Sequence, residues 1–510
     1  MSTAISQSIF REVFAKEDPH FKFSFEEDGV GIGRITQRSK LGARNLARHY
    51  KCNILDDAGS IIRSERIDAG IAGLILGRLG QVNDSELFSL PLAQIENRAQ
   101  AGRQSAQVDP ANVVHVLTDQ ERSFTATGHK LLHHWPIFKK YKETGYGSII
   151  RATMTNHQVC ASKCEFCSTI ARNKADSVTL DEAIRFVHAL DDEQAQFNRE
   201  RFPEYNELYR RATGSDIKLR GLILSGGGQP NLWPHFQEFV EHLSTRQIDL
   251  GLITNGFPER VADATYEHFK WIRISITPPQ ASAFYKGGRF ENQYFPKNIL
   301  GNPEIAVGLS YVYGPWTSDD ELLRINDFAM AHGLRYARLL TDCNLSRDAQ
   351  LLAHMSLSQR LRDLGLMDEH GHPLGKIFHQ LKYHASAEEI ADIWDEGQCQ
   401  LQSHNVFWDT TGHADAGRSH CYPCDSVTVL AESEAENFTS SERRFNPDKW
   451  GTVFNTEVDR LFTEPVQPFF DPRDLCKACL FVRNNRQVRE VSSLSRPPDV
   501  SNSIEHVNFP

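Results

Sequence analysis

The sequence has little of what a membrane protein, a secreted protein or a nucleic-acid-binding protein needs. No apolar run approaches the roughly 18 to 20 residues that span a bilayer, and the polar start MSTAISQSIFREVF lacks the charged and apolar segments of a secretion signal. Positive charge is also scarce, since 56 Lys and Arg face 66 Asp and Glu, which gives a formal net charge of -10. We therefore expect a cytoplasmic protein that binds neither membranes nor nucleic acid.

Because nothing marks the chain for an oxidising compartment, its ten cysteines are expected to be reduced and available to metals. Their distribution favours metal binding, since most of them fall into two groups. Three lie at 160–167, five lie between 399 and 479, and only Cys52 and Cys343 stand apart. At 510 residues, with 40% hydrophobic and 24% charged residues, the chain has the composition of a globular protein of two or three domains.

The first cysteine group has the spacing CxxxCxxC and is the most informative motif of the chain. Thiolates at Cys160, Cys164 and Cys167 can hold three corners of a 4Fe-4S cube, whereas a closed zinc site or a fully ligated cube needs four ligands. The fourth iron of such a cube is open to a small molecule. A zinc knuckle with a remote fourth ligand, or three cysteines without a metal, are the alternatives that the spacing leaves open.

Six segments between residues 147 and 342 predict buried strands, and amphipathic helices follow several of them. The predicted strands are 147–156, 219–225, 248–254, 271–276, 305–312 and 334–340. Capping boxes at Thr179 to Glu182 and at Ser318 to Glu321 indicate where two of the helices begin. Repeated β-then-α units with right-handed crossovers predict a parallel sheet that curls into an open barrel, with the cysteine loop after its first strand.

This cysteine spacing resembles the signature of the radical S-adenosylmethionine (SAM) superfamily. The resemblance implies a partial (βα)6 barrel and a cluster whose open iron binds the amino and carboxylate groups of SAM. Phe166 matches the aromatic residue of the motif, which lies against the adenine. The run GGGQP, which contains Gly226, Gly227 and Gly228, resembles the GGE-P turn whose carbonyls accept hydrogen bonds from the SAM amino group, with Gln229 in place of Glu.

Three further residues near strand ends become candidates through the same resemblance. Asn255 and Ser275 lie at the ends of the third and fourth strands, as candidates for the SAM ribose and carboxylate, although each also suits an ordinary turn. The family usually continues the fourth strand with Asp, but this chain has Thr277-Pro-Pro-Gln280 there. Cys343 follows the sixth strand and could donate a hydrogen atom to a substrate radical, as in radical SAM epimerases, or pack as a small hydrophobe.

The second cysteine group consists of Cys399, Cys421, Cys424, Cys476 and Cys479. Its two CxxC pairs predict a zinc site by spacing alone. After a radical SAM barrel, however, the arrangement resembles the SPASM or shorter twitch extension, which carries auxiliary 4Fe-4S clusters. The resemblance implies Cys399, Cys424, Cys476 and Cys479 as ligands of one auxiliary cluster, with Cys421 competing for an early position and zinc as the alternative metal.

The predicted fold is α/β, with four regions along the chain. Residues 1–145 form an N-terminal α+β region of unknown role with a candidate hairpin at 21–35, and 146–343 form the radical SAM barrel core. Residues 344–397 are a predicted helical connection, and 398–510 are the cysteine-rich SPASM/twitch-like domain and its tail.

The resemblance implies an oxidoreductase that cleaves SAM reductively to a 5'-deoxyadenosyl radical, which abstracts hydrogen from an unactivated C–H bond. A small metabolite is the expected substrate, a net oxidation assisted by the auxiliary cluster the expected reaction, and a flavodoxin- or ferredoxin-type protein the expected electron donor. One alternative is a maturase that cross-links or epimerises a ribosomally made peptide. The other, from a different class, is a zinc-binding interaction protein without enzymatic activity.

Overall fold

The computed structural model describes three short N-terminal segments and most of the chain from residue 117 onward. The N-terminal segments are 22–26, 49–55 and 61–68. From 117 to 510 the described part omits 165, 170–172, 278–288, 315, 346, 386–387, 392–397, 426–452, 467–478, 499 and 501–503. Within these described residues, no helix combines the length and the apolar character that a membrane crossing requires.

The N-terminal segments are strands of a small antiparallel sheet in the order β1-β2-β3. They are β1 (Lys22–Glu26), β2 (His49–Leu55) and β3 (Ile61–Asp68). The first arm of the predicted hairpin at 21–35 is β1, which pairs with β2, and the second arm lies outside the described residues.

In the described part of the chain, the main sheet has ten strands in the order β10-β9-β8-β7-β6-β5-β4-β11-β12-β13. The strands β4 to β9 are parallel neighbours in chain order, β10 and β11 add parallel strands at either side, and β12 and β13 are antiparallel. This arrangement confirms the predicted α/β class with a largely parallel sheet. The strands are β4 (Arg151–Thr155), β5 (Gly221–Ser225), β6 (Asp249–Thr254), β7 (Phe269–Ile276), β8 (Ala306–Tyr313), β9 (Tyr336–Thr341), β10 (Ile377–His379), β11 (Asn405–Asp409), β12 (His420–Tyr422) and β13 (Val453–Phe454).

Two of the helices begin at the caps that the sequence predicts. Thr179 and Glu182 exchange the two hydrogen bonds of a capping box, and the Ser318 side chain accepts from the Glu321 amide. The helices are α1 (Asp119–Phe124), α2 (Gly128–His133), α3 (Trp135–Thr144), α4 (Leu180–His188), α5 (Gln194–Arg201), α6 (Pro203–Thr213), α7 (Phe236–Ser244), α8 (Asp319–Ala331), α9 (Arg347–Asp363), α10 (His413–Ala416), α11 (Arg460–Thr463) and α12 (Val482–Ser493).

Alternating side chains give the main sheet two different faces. Leu222 and Leu224 of β5 point to the outer face, where they join the large apolar core formed with helix residues such as Phe186 and Phe239. Burial of one such side chain stabilises the fold by about 1.5–3 kcal/mol. Ile223, between the two leucines, belongs instead to a small cluster on the inner face. The helices therefore cover the outer face, and the inner face is available to line a cavity.

The last residues of the chain lie against the amino ends of the strands. A Cβ atom on Gly221, the first residue of β5, would come within 2.3 Å of the Asn508 carbonyl oxygen. The Asn508 side chain donates to Asp249, the first residue of β6, at 2.7 Å. Residues 504–510 thus cover the end of the inner face opposite to the cysteine loop.

Two predicted regions differ from the observed architecture. The predicted helical connection at 344–397 contains α9 but also β10, whose three buried residues pair with β9. The cysteine-rich region at 398–510 contributes β11, which lies directly beside β4 in the same sheet. The reason is that β4 would otherwise leave the backbone groups at its outer edge unpaired.

Candidate functional site

The candidate residues of the barrel region gather at one edge of the main sheet. The cysteine loop follows β4, the glycine-rich turn follows β5, Asn255 follows β6 and Cys343 follows β9. Because β4, β5, β6 and β9 all run in one direction, their carboxyl ends open at the same edge. That edge is where α/β folds place their ligands.

Local hydrogen bonds shape the loop that carries Cys160, Cys164 and Cys167. The amide of Cys167 donates to the Cys164 carbonyl oxygen at 3.2 Å, and the amide of Ser162 donates to the Cys160 sulfur at 3.4 Å. The Cys167 sulfur lies 3.6 Å from the Thr169 hydroxyl. All three thiols are partly accessible, so a cluster could reach them.

The glycine-rich turn packs directly on the segment that leads into the cysteine loop. A Cβ atom on Gly227 would lie 1.9 Å from the Gln158 side-chain oxygen, and one on Gly228 would lie 2.4 Å from the Val159 carbonyl oxygen. The Thr169 hydroxyl of the cysteine loop also donates to the Gly227 carbonyl at 3.0 Å. None of the glycines at 226–228, all described, adopts a positive φ. Close approach of the backbone is therefore the reason for glycine here.

Asn255 is buried and reaches the cysteine loop from the neighbouring strand end. Its amide nitrogen donates to the Cys160 sulfur at 3.6 Å and also to the Ser162 hydroxyl. Its side-chain oxygen is buried and accepts no hydrogen bond from the described protein atoms. A ligand with an N–H or O–H group could satisfy that oxygen.

Ser275 lies on β7 in register with Ser310 of β8. It lies two positions after Arg273, so strand alternation places both side chains on the same face, where Arg273 lines the cavity described below. No contact with the cysteine loop connects Ser275 to the site among the described hydrogen bonds, and its role as a SAM ligand stays a prediction.

Two residues that the sequence did not single out hold Phe166 in place. The Phe166 ring stacks on Trp316, with the ring centroids 5.2 Å apart, and its carbonyl oxygen accepts from the Asn344 side chain at 3.0 Å. Trp316 follows β8 and Asn344 follows β9, so these contacts join the cysteine loop to the far side of the sheet edge. Isolated loop residues carry no periodic signal, which is why sequence patterns missed them.

Cys343 lies within electrostatic range of the cysteine loop. Burial raises the pKa of its thiol to about 12, and neighbouring negative charges, among them Asp342 and Cys167, add to the shift. The Cys343 carbonyl oxygen accepts from the His384 ring at 2.8 Å, which fixes the backbone. The thiol therefore keeps its proton at neutral pH.

The cysteines of the second group fall into two different apolar clusters. Cys399 and Cys424 are buried in one apolar cluster, against which Phe481 packs, whereas Cys421 points into the main core. Burial raises the pKa of Cys399 to about 12, and the Cys479 thiolate adds to the shift. Burial likewise raises the pKa of Cys479, with Cys424 adding to it. Three thiols thus lie close together without Cys421, and Cys476 lies outside the described residues.

The donor set of both groups suits iron-sulfur clusters or zinc. Eight cysteines with described side chains are thiols rather than disulfides. In the part of the chain that the structure describes, no three His, Cys, Asp or Glu side chains converge on a single ion. A cube does not require such convergence, because each cysteine binds a different iron. Buried neighbouring thiolates repel one another, and a bound cationic centre would relieve that repulsion.

A cavity of about 260 Å³ occupies the inner face of the sheet. At one side its described lining includes Ser225, which immediately precedes the glycine-rich turn, and Ile253, which lies two positions before Asn255. At another side it includes Asp425 and Leu480, the residues next to Cys424 and Cys479. The cavity therefore lies between the sheet edge with the first cysteine group and the second cysteine group.

Comparisons with known proteins give no close relative. No protein-family profile and no curated protein matches the sequence. Among solved structures, Streptococcus suis SuiB bound to precursor peptide SuiA aligns over 89% of this chain and 96% of its own, at 10% identity and a TM-score of 0.38. TYW1 with a lysine-pyruvate adduct bound aligns over 53% of this chain and 88% of its own, at 14% identity and a TM-score of 0.29.

A third structure, BtrN in complex with AdoMet and 2-DOIA, aligns over 64% of this chain and 92% of its own, at 9% identity and a TM-score of 0.26. TM-scores this low do not establish a shared fold. The function of this chain therefore has to be inferred from its own cysteines, glycine-rich turn and cavity.

Proposed function

We propose that this chain is a radical SAM enzyme that uses S-adenosylmethionine to abstract hydrogen from an unactivated C–H bond of a small metabolite. The observation that carries the proposal is the contact between the CxxxCxxC loop and the glycine-rich turn at the carboxyl ends of adjacent parallel strands. Thr169 of the loop donates to Gly227 of the turn, and Asn255 donates to Cys160. A zinc-binding interaction protein would have no need for this junction.

The described residues fit a cluster and SAM at this edge. Cys160, Cys164 and Cys167 would hold three irons, and the unsatisfied oxygen of buried Asn255 would accept a hydrogen bond from SAM. When bound, a 4Fe-4S cluster supplies the electron that cleaves SAM to methionine and a 5'-deoxyadenosyl radical. The protein orients SAM, excludes water and positions one substrate C–H bond beside the 5' carbon.

The second cysteine group is proposed to hold an auxiliary 4Fe-4S cluster through Cys399, Cys424, Cys476 and Cys479. Its position beside the cavity, through Asp425 and Leu480, supports a role in accepting the electron left on the substrate. The net reaction would then be an oxidation, and a flavodoxin- or ferredoxin-type protein would supply the first electron. Structural zinc on the same thiolates is the alternative.

A small metabolite is favoured over a ribosomal peptide because of the cavity. A volume of about 260 Å³ is close to the lower limit of pockets that hold small ligands. A peptide maturase needs a groove that also accommodates the chain on both sides of the modified residue.

The proposal is tested by SAM cleavage. Anaerobically reconstituted protein with dithionite and SAM should form 5'-deoxyadenosine, measured by chromatography, whereas the Cys160→Ala/Cys164→Ala/Cys167→Ala protein should form none. Cys52→Ala, a cysteine outside both groups, is the matched control and should retain the activity. Undiminished nucleoside formation by the triple variant would overturn the proposal.

A further inference from the structure

The inner face of the main sheet carries positive charge that the cysteine chemistry does not explain. Arg151 of β4, Arg273 of β7 and Arg338 of β9 come from three strands and line one cavity. Lys130 of α2, only 1% exposed, lines the same cavity. Burial, and then repulsion from Arg151 and Arg273, lowers the pKa of Lys130 well below its usual value. Sheet interiors of this kind are normally filled with apolar side chains, so the charge of the three arginines requires a reason.

Carboxylates do not balance these charges. The described lining contains six cationic side chains and two carboxylates, Glu121 and Asp425. The six are Lys130, Arg151, Arg273, Arg338, Lys382 and Arg483. Among the described residues, Lys130, Arg273 and Arg338 form no ion pair within 4.0 Å, although ion pairs occur at many other arginines. Arg151 donates to an oxygen of Pro510, the last residue of the sequence. The cavity therefore has a positive potential.

Neutral groups satisfy only part of the guanidinium hydrogen bonds. Arg273 donates to the Tyr336 hydroxyl at 3.1 Å and to the Phe124 carbonyl at 2.5 Å. Arg338 donates to the Gln380 side chain at 3.2 Å and to the Ser310 hydroxyl at 3.0 Å. These bonds fix the orientation of both guanidinium groups without neutralising them, so both remain available to an anion.

Two buried donors have no partner at all in the described structure. The Nε atoms of Arg151 and Arg338 are buried and make no hydrogen bond. Arg151 donates elsewhere, to the backbone oxygen of Pro510 at 2.5 Å. Burial, and then repulsion from Arg273, lowers the pKa of Arg338 to about 9. Two carboxylates, Glu121 and Asp425, offset the charge of these arginines only in part. Buried charge that is not fully balanced is costly, and a bound anion would offset that cost.

We propose that this cavity binds the substrate through at least two acidic groups, so that the substrate is a small dicarboxylate, phosphate ester or other polyanionic metabolite. The assignment of the ligand as substrate rests on the proposed function, whereas the anion site itself does not. Planar guanidinium groups match carboxylate and phosphate oxygens in pairs, and Arg273 and Arg338 are held ready for such pairing. The cavity also reaches the sheet edge that carries the cysteine loop.

The experiment measures anion binding in the full-length Cys160→Ala/Cys164→Ala/Cys167→Ala protein, which has no SAM cluster. Malonate and pyrophosphate serve as carboxylate and phosphate probes, glycerol as a neutral probe, and titration calorimetry at constant ionic strength gives the affinity. At least one dianion should bind and glycerol should not. Arg338→Gln should weaken that binding about tenfold or more, and Arg338→Lys should weaken it less because it keeps the charge.

Arg199→Gln is the matched control, because Arg199 pairs with Asp216, neither residue lines the cavity, and the substitution should leave the affinity unchanged. Arg273→Gln provides a second cavity variant if Arg338→Gln does not fold. Equal binding by the cavity variants and the control would overturn the proposal, as would binding of neither dianion at about 10 mM.

SAM and the dianion are also titrated against each other in the anaerobically reconstituted wild type, where competition between them would assign the arginines to the cofactor and overturn the substrate proposal. The two proposals fail separately. Anion binding without 5'-deoxyadenosine formation by the wild type would remove the radical SAM function and leave the anion site. Formation of 5'-deoxyadenosine without anion binding would leave the radical SAM function and remove the anion site.

Discussion

At the scale of single residues, protonation decides what Cys343 can do. Only a thiol that keeps its proton can donate a hydrogen atom, and burial raises the pKa of Cys343 to about 12. The thiol is influenced both by Cys167 of the cluster loop and by Lys382 of the cavity wall. A buried cysteine with only a packing role would have a raised pKa as well, so an experiment has to separate the two roles.

Hydrogen donation by Cys343 and oxidation by the auxiliary cluster are alternative fates of the substrate radical. If Cys343 is the donor, Cys343→Ala should keep forming 5'-deoxyadenosine with substrate present but release an altered product. The physical reason is that hydrogen abstraction would proceed while the substrate radical would lack its donor. In that case, mass spectrometry of the product formed by the wild type in D2O should show one solvent deuterium, whereas a net oxidation would place none there. A Cys343→Ala protein that makes the normal product at the normal rate would show that Cys343 only packs, and Cys52→Ala controls for the loss of an unrelated cysteine.

Some of the individual residues of the candidate site could be predicted from the sequence, and others could not. Cys160, Asn255 and the glycines at 226–228 were predicted and are brought together, because each directly follows a strand of strong apolar pattern. Trp316 was not predicted, because its contact with Phe166 joins loops about 150 residues apart in the chain. Charged residues inside strands, such as Arg273 and Arg338, were passed over because local patterns do not show which face a cavity occupies.

At the scale of elements, the strands β4 to β9 were predicted well and those added at the sides of the sheet were not. β5 and β9 were predicted within about two residues, since buried parallel strands form continuous apolar runs. β10 has three residues and β11 pairs with a strand some 250 residues earlier. A strand as short as β10 and a pairing as distant as that of β11 leave no local pattern in the sequence. The sequence therefore predicted a cysteine-rich region separate from the barrel sheet, whereas β11 of that region lies within the sheet.

One short element separates two candidate ligands. Cys421 lies within β12 and points into the main core, whereas Cys424 lies beyond the strand beside Cys399. In protein that also lacks Cys160, Cys164 and Cys167, an auxiliary cube should leave about four irons per chain with a cubane absorption band. Adding Cys424→Ala should remove that iron because it deletes a ligand, whereas Cys421→Ala should leave it in place.

Metal analysis and the absorption spectrum of the same two variants distinguish an auxiliary 4Fe-4S cluster from structural zinc. One tightly held zinc with no iron would refute the auxiliary cluster and its role as electron acceptor, and would leave the first cysteine group untouched. Loss of metal on Cys421→Ala but not on Cys424→Ala would contradict the ligand choice that the burial of Cys424 beside Cys399 supports.

At the scale of the whole molecule, buried histidines connect distant parts of the fold and are held neutral. Burial lowers the pKa of His134 from 6.5 to about 4 and that of His404 to about 3. His134 links α3 to α6 through the Tyr209 hydroxyl at 2.8 Å and to the C-terminal residues through the Val507 carbonyl at 2.9 Å. Burial favours the neutral ring, in which Nε2 donates to the Val507 carbonyl and Nδ1 accepts from the Tyr209 hydroxyl.

These histidines should make the protein sensitive to mild acid. Between the folded pKa near 4 and the unfolded value of 6.5, the unfolded chain binds more protons than the folded protein, so the unfolding free energy falls as the pH falls through this range. One such group contributes a slope of at most about 1.4 kcal/mol per pH unit. Denaturant unfolding of the wild type at several pH values between 5 and 7 measures the slope.

In the variant His134→Gln, the unfolding free energy should change less steeply with pH than in the wild type. The difference is at most about 1.4 kcal/mol per pH unit, which corresponds to one proton, because glutamine takes up no proton on unfolding. The variant will also lose absolute stability through the bonds to Tyr209 and Val507, but that loss is the same at every pH and does not change the slope. His370→Gln is the control, since the side chain of His370 is 73% exposed and meets a similar environment in both states. If His134→Gln keeps the slope of the wild type, His134 is not held neutral in the folded protein, and the junction between α3, α6 and the C-terminal residues tolerates a charge.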